Sequence, residues 1–287
     1  GLLLTSGNGV VPTTNSDHDF GGSFASASTL TGPDSPDTPT DTELQNAVEA
    51  AFSGAGSVRD YTSLAFTFTV TDPSVKGIRF DLVFGSDEYP EYKDSSYVDI
   101  AAVFVNGTNY ALFNQQQTQP LSIISQNLAA GNFIDNSAGQ RSIEYDGVSA
   151  KLEIVASVVQ GVNTIKFAIG DTGDSNLDSG LFIANMVSTN LQGFGLAEVV
   201  PVQGATAPVT DKNGNQIYQM NDAFTTLLLS SGDDIVQGSQ TGIDYLKFAY
   251  SVGDLLGGSL SNGILTLQGP SGSTVMENVD KVAIGNQ

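Results

Sequence analysis

Residues 171–180 read Asp171-Thr-Gly-Asp-Ser-Asn-Leu-Asp-Ser-Gly180, which packs three carboxylates, two serines, an asparagine and two glycines into ten positions. Hard cations such as Ca2+ are held by several oxygens drawn from carboxylates, side-chain amides and backbone carbonyls. A glycine-broken loop between two strands can turn such oxygens inward, and without a cation Asp171, Asp174 and Asp178 would repel one another. The loop is therefore read as a calcium loop at the end of a β-sheet. The plainer alternative is a solvated turn rich in Asp, Ser and Gly, as turns generally are. The spacing is not that of an EF-hand, which needs alternating Asp/Asn and a glycine at its sixth position.

A second acidic cluster, Phe84-Gly-Ser-Asp-Glu-Tyr-Pro-Glu-Tyr92, is followed by Lys93, Asp94 and Asp99. Asp87, Glu88 and Glu91 offer hard oxygen ligands. Tyr89 and Tyr92 offer flat, partly polar contact surface. The competing reading is a strand-end loop whose tyrosines cover a sheet edge. The two loops converge only if their strands are neighbours. Asp17-His18-Asp19 is a further candidate metal site, but with a single histidine it makes a weak zinc case and is read as a polar loop. Enzymatic chemistry finds little support. His18 is the only histidine, and the chain carries no Walker loop or dinucleotide fingerprint. A carboxylate pair can serve a glycosidase, but in so acidic a chain paired carboxylates discriminate poorly.

The elements that must position these loops are mostly strands. In 61–70, Leu64, Phe66, Phe68 and Val70 alternate with Ala65, Thr67 and Thr69. In 77–84, Ile78, Phe80, Leu82 and Phe84 alternate with Arg79 and Asp81. Period-two alternation predicts half-buried strands. Residues 99–105 form a third, and Asn106-Gly107 signals a type I′ hairpin into 110–113. Further runs lie at 122–124, 151–159 and 162–169, the last leading into the 171–180 loop. One helix is expected after the proline-punctuated stretch 31–39. Thr40 and Glu43 have capping-box spacing, Leu44, Val48, Ala51 and Phe52 share a face, and Gly54 stops it. Residues 191–215 read as a linker. Beyond it, runs at 223–229, 245–250, 264–267, 275–279 and 282–284 predict a smaller β-rich domain. Residues 231–238 faintly resemble an RTX calcium nonapeptide. One imperfect copy does not build a β-roll, and no internal repeat of fixed period is visible. Many short strands and no βαβ rhythm predict an all-β, mainly antiparallel sandwich.

The charge balance sharpens this. The chain has 31 acidic and 10 basic residues, a formal net charge of −21, and no cysteine. Nucleic-acid backbone and anionic membrane surfaces are excluded as partners, as are disulfides and thiolate metal sites. No apolar run is long enough to span a bilayer. The sequence opens on Gly1 without methionine and reads as a piece of a longer polypeptide.

The ordered motifs Gly1-Leu-Leu-Leu-Thr-Ser-Gly7, 84–92, Val103-Phe-Val-Asn-Gly107, Tyr145-Asp-Gly147 and 169–183 together resemble the choice-of-anchor L family of bacterial surface domains, over residues 1–188. Within that family the chain is most similar to the peptide-binding domains of RTX adhesins. The resemblance implies a calcium-dependent β-sandwich that grips the free C-terminal ends of partner proteins on a host or neighbouring cell. The tail, Gly242 to Val282, resembles the module that accompanies such domains. Two departures stand out: Asp87 where the family often has Glu, and Val98 where it often has Asn, so that any ligand role there is lost or moves to Asp99.

The expectation is thus a non-catalytic, extracellular adhesin module of the bacterial surface, with a role in adhesion and biofilm. Residues 1–190 form a calcium-bound sandwich with one short helix, 191–215 a linker and 216–287 the companion domain. The metal ligands are Asp171, Asp174 and Asp178, then Asp87, Glu88 and Asp99. Tyr89, Glu91, Tyr92, Tyr97 and Ser179 are the ligand contacts. A calcium-dependent lectin and a structural spacer are the alternatives.

Overall fold

A computed structural model describes residues 1–6, 41–141, 143, 145–173, 177–202, 209–212, 214–220, 225–229, 231–240 and 243–285. The chain divides into two compact units, Gly1–Leu196 and Ala197–Gln287.

The first unit runs β1 (Leu2–Thr5), α1 (Thr42–Ala51), β2 (Val58–Val70), β3 (Gly77–Ser86), β4 (Ile100–Val105), β5 (Thr108–Asn109), α2 (Ser125–Ala129), β6 (Phe133–Asp135), β7 (Gly147–Ser149), β8 (Leu152–Ser157), β9 (Gly161–Thr172) and β10 (Ser179–Thr189). Its strands form two antiparallel sheets. One has the order β1-β10-β3-β8, with β7 on β3 and β6 on β7; the other is β2-β9-β4-β5. The sheets pack face to face, as the alternation predicts. From β3, Ile78, Phe80, Leu82 and Phe84 point into the same core as Val103 and Phe167 from the facing sheet. The Phe80 and Phe167 rings meet edge to face with centroids 5.3 Å apart.

The β4 run is apolar at every position because both its faces are covered. Ala101, Val103 and Val105 enter the sandwich core, while Ile100, Ala102 and Phe104 pack beneath Leu44 and Val48 of α1. The expected cap moves by one residue. Asp41 is the N-cap, its Oδ1 accepting from Leu44 N at 3.1 Å, and Lys166 Nζ lies 2.6 Å from the same oxygen. Thr40 lies outside the described residues. The alternation in β2 misleads in part: β2 is an edge strand, and Leu64 and Phe66 remain 38% and 39% exposed. The strand run expected at 110–113 reduces to isolated bridges at Leu112 and Phe113, and 122–124 forms no strand, the nearest bridge falling on Leu121.

The second unit is built differently. It contains β11 (Gly195–Val202), β12 (Val209–Thr210), β13 (Gln216–Met220), β14 (Thr225–Leu229), β15 (Asp234–Gln237), β16 (Asp244–Phe248), β17 (Gly257–Ser261), β18 (Ile264–Gly269), β19 (Gly272–Glu277) and β20 (Lys281–Ile284). Strands β11, β13, β15 and β19 pair in parallel, and so do β12, β14, β16 and β20. The chain alternates between the two sheets, so each pair of strands is one coil. This corrects two expectations. Residues 191–215 are not simply a linker, since they contain β11 and β12. A repeat does exist: Val200, Tyr218 and Val236 sit in one register, each eighteen residues after the last, and Met276 completes the column after the inserted β17–β18 hairpin. The identities differ at every level and the hairpin breaks the period, so only the buried positions repeat.

The coil ends are fastened by side-chain oxygens. Asp233 N donates to Asn215 Oδ1 at 3.0 Å, and Ser273 N donates to Asp233 Oδ1 at 2.8 Å. Gln216 N donates to Asp234 Oδ1 at 3.0 Å. Burial, then the neighbouring Asp211 and Asp233 carboxylates, push Asp234 up to about 8. An acid whose folded pKa is raised favours the folded state fully only below its unfolded value, and that stability is lost as pH rises through about 8. Asp234→Asn keeps an acceptor oxygen for Gln216 N and removes the charge. The variant should therefore melt above the parent at about pH 9, by on the order of a few kcal/mol, with the difference vanishing below about pH 4. Melting curves across that range check this; a gap independent of pH would show that the charge is not the cause.

Candidate functional site

The acidic residues gather where several strands of the first unit end together. Asp171 and Thr172 close β9. Ser179 opens β10 opposite Ser86, the last residue of β3. Asp99 immediately precedes β4, and Ser6 follows β1. The β1 end is tied across: Ser6 N donates to Ser179 O at 3.1 Å, and Ser179 N donates to Ser6 Oγ at 3.0 Å. Ser179 Oγ donates to Asp99 Oδ2 at 2.6 Å, and Ser122 Oγ donates to Asp99 O. Asp87 N donates to Asp178 O at 3.3 Å, and Asp87 Oδ1 accepts from Asp146 N at 3.2 Å. The strand pairing thus brings the two acidic loops to one end of the sandwich.

Asp171 is the centre of this group. It is fully buried, and neither carboxylate oxygen makes a well-formed hydrogen bond with a described residue. Its pKa lies well above the usual carboxylate range, because of burial first and then the negative charge of Asp99, with Asp178 and Asp60 adding to it; the nearby Ser6 hydroxyl acts the other way. Asp60, Asp99 and Glu88 are buried as well. Burying like charges together is costly unless something positive joins them. The donors are all hard oxygens, which fits a hard cation. Among the described residues, no three acidic or histidine side chains are placed to hold one metal ion. Asp174 lies outside the described residues, as do Asp17, His18 and Asp19.

The tyrosines divide. Tyr92 and Tyr97 meet edge to face, centroids 6.5 Å apart, and are 37% and 41% exposed. Tyr97 lies against the turn after Asp171, since a Cβ on Gly173 would come within 3.2 Å of its ring. Tyr89 instead packs inward onto Gly147 and the sandwich core. The charge of Asp135 acts on both Tyr89 and Glu91, and that of Asp146 on Glu91. Burial, chiefly, raises the pKa of both, and Asp135 adds to it in each case.

Sequence reasoning missed Asp60, Ser6 and Tyr145. Asp60 adopts a left-handed φ of 36° where the β2–β9 register shifts; a charged residue entering an otherwise alternating strand was the available signal. Tyr145 fills a slot made by two facing glycines. A Cβ on Gly85 would fall 2.3 Å from its ring, and one on Gly180 2.4 Å from its hydroxyl. Its ring therefore braces the strands on which the acidic loops hang.

The fold and site together define a β-sandwich domain whose strand ends enclose buried carboxylates. The model of the Choice-of-anchor L domain family matches residues 3–188, and the chain belongs to that family. Choice-of-anchor domains occur in surface-anchored or secreted bacterial proteins. No helix among the described residues is long and apolar enough to cross a membrane. No curated protein and no solved structure matches the chain.

Proposed function

We propose that the first unit is a calcium-dependent, non-catalytic binding module of an extracellular bacterial adhesin, and that it captures the free C-terminal ends of peptides on partner surfaces. The observation that supports this most is Asp171: a fully buried carboxylate, without a well-formed hydrogen bond to a described residue, surrounded by other carboxylates. Asp171 and one neighbouring carboxylate, Asp99 or Asp178, would hold the cation, together with Asp174 and backbone oxygens. When bound, Ca2+ supplies positive charge that lets a chain of net charge −21 accept a carboxylate. Capture of chain termini is an established recognition mode. The exposed Tyr92–Tyr97 pair supplies contact surface for the last side chains of the peptide, and Ser179 holds Asp99 in place. The parallel coils of the second unit support its reading as the module that accompanies such domains in RTX adhesins.

A tyrosine-containing peptide library tests the reading, prepared once with free C-termini and once amidated. In calcium buffer the free-acid peptides should be retained and the amidated ones not, with retention lost on adding chelator. Equal retention of both forms, or none, removes terminus capture and brings the lectin and spacer readings forward.

A further inference from the structure

A cleft of about 480 Å3 opens on the first unit between α1 and the β4–β5 hairpin. None of the acidic-site residues lines it. Its helix side is the stripe Glu43, Asn46, Ala47 and Ala50, which the helical period places on one face. This face flanks the Leu44–Val48 stripe that packs on the sheet. Two alanines where larger side chains would close the gap leave the cleft open, with Phe104 and Leu112 as apolar lining.

The rim is polar, and Glu43, the carboxylate on it, shares its cation with Asp41. Glu43 is paired with Lys166, Oε2 to Nζ at 3.0 Å. The remaining polar groups are the amides of Asn46, Asn109, Gln115 and Gln117 and the hydroxyls of Thr108 and Tyr110, the latter accepting from Ser157 N at 3.2 Å. The hairpin wall is fixed by Asn109, whose Oδ1 accepts from Val103 N at 3.2 Å and Ala111 N at 3.0 Å. The facing rim is held in an uncommon conformation: Asn114 and Gln115 are both left-handed, at φ 52° and 56°. Gln115 Nε2 anchors that turn by donating to Phe194 O at 2.8 Å. Non-glycine residues kept in this region tend to cluster at binding sites, because the surroundings must hold them there.

We infer that this cleft is a second binding site, independent of calcium, for a short neutral saccharide. An apolar lining beneath side-chain amides and hydroxyls matches a sugar, which presents an apolar ring face and a rim of hydroxyls. In a chain of net charge −21, a cleft whose rim keeps a share of negative charge disfavours an anion and admits a neutral ligand without a cation. A peptide added as a strand is disfavoured, because β5 is only two residues long and offers little backbone to pair with. The volume falls within the ordinary range of small-ligand sites.

The test is an array of neutral oligosaccharides of hexoses and N-acetylhexosamines, probed with the full chain in chelator, with hits measured by calorimetry. At least one oligosaccharide should bind. Ala50→Trp, at an exposed helix position, fills the cleft and should weaken that binding at least tenfold. Asn46→Ala and Gln117→Ala should each weaken it severalfold, and Asp171→Asn should leave it unchanged. Unaltered circular dichroism of the variants separates lost binding from lost fold. Absence of any neutral hit overturns the inference. So does binding that survives Ala50→Trp, or that vanishes in chelator, which would assign it to the acidic site. The peptide-library result is independent of either outcome.

Discussion

Asp171→Asn should nearly abolish the rise in melting temperature that calcium gives the parent chain, while raising the melting temperature in chelator. The two effects have one origin. Without a cation, the parent holds a buried carboxylate beside Asp99, Asp178 and Asp60, and this juxtaposition disfavours the charged form. The amide removes the charge at nearly constant volume, so the cation-free fold becomes more stable. With calcium, the parent gains the linkage free energy of a ligand that binds only the folded state, about 2.7 kcal/mol at a hundredfold excess over Kd. For a unit of this size that corresponds to roughly 5–10 °C. The variant lacks the central ligand and forfeits most of that gain. Calorimetric melts of both chains, each in calcium and in chelator, make the comparison. Equal calcium increments in the two would sink the assignment of Asp171 as a ligand, and no increment in either would sink calcium itself. Ser179→Ala provides a milder companion: it removes the hydroxyl that donates to Asp99 Oδ2 and should reduce the increment without abolishing it.

The parts of the molecule legible in the sequence are those whose signal is local. Ile78, Phe80, Leu82 and Phe84 alternate because one face of β3 meets the core, and period two shows that directly. The site was half legible for the same reason. Asp171 and Asp178 lie seven residues apart on one loop, and Asp87 and Asp99 sit at the ends of recognisable strands. Asp60 and Ser6 join them only through the β2–β9 and β1–β10 pairings, which link residues more than a hundred positions apart. No window of sequence contains that information. The exposed faces of Leu64 and Phe66 were misread because alternation reports a strand but not whether it lies at an edge.

The second unit was the least legible, and the cause is specific. Parallel coils repeat in space, yet the column Val200, Tyr218, Val236 and Met276 shares burial rather than identity. The interrupting hairpin did carry a signal. Asn262-Gly263 has the same turn chemistry as Asn106-Gly107, and all four residues are left-handed. Setting that hairpin aside restores the order of the coils: Gly214, Gly232 and Gly272 introduce β13, β15 and β19 in turn.

That glycine column supplies the second large effect. A Cβ on Gly232 would sit 2.0 Å from Gly214 O, and one on Gly272 1.8 Å from Gly232 O. The obstacle in each case is the backbone of the preceding coil, which has no side-chain rotamer to move aside. Gly232→Ala must therefore push two coils apart. That movement strains the bonds from Asp233 N to Asn215 Oδ1 and from Gly232 N to Ser271 O. It also opens the core between Tyr218 and Val236. A cost above about 4 kcal/mol, at the far end of single substitutions, is expected. Gly263→Ala separates clash from conformation. Gly263 is also left-handed, at φ 78°, but nothing lies within 4 Å of its added Cβ. It should cost only the left-handed penalty of about 1–2 kcal/mol. Hydrogen exchange read strand by strand decides the matter. Gly232→Ala should strip protection from β13 through β16 while β3 and β9 keep theirs, since coils depend mainly on their nearest neighbours. Protection lost equally in the two variants would mean that the stacking column does not hold the coils together. Protection lost across both units would mean that the sandwich and the coils fold as one cooperative body.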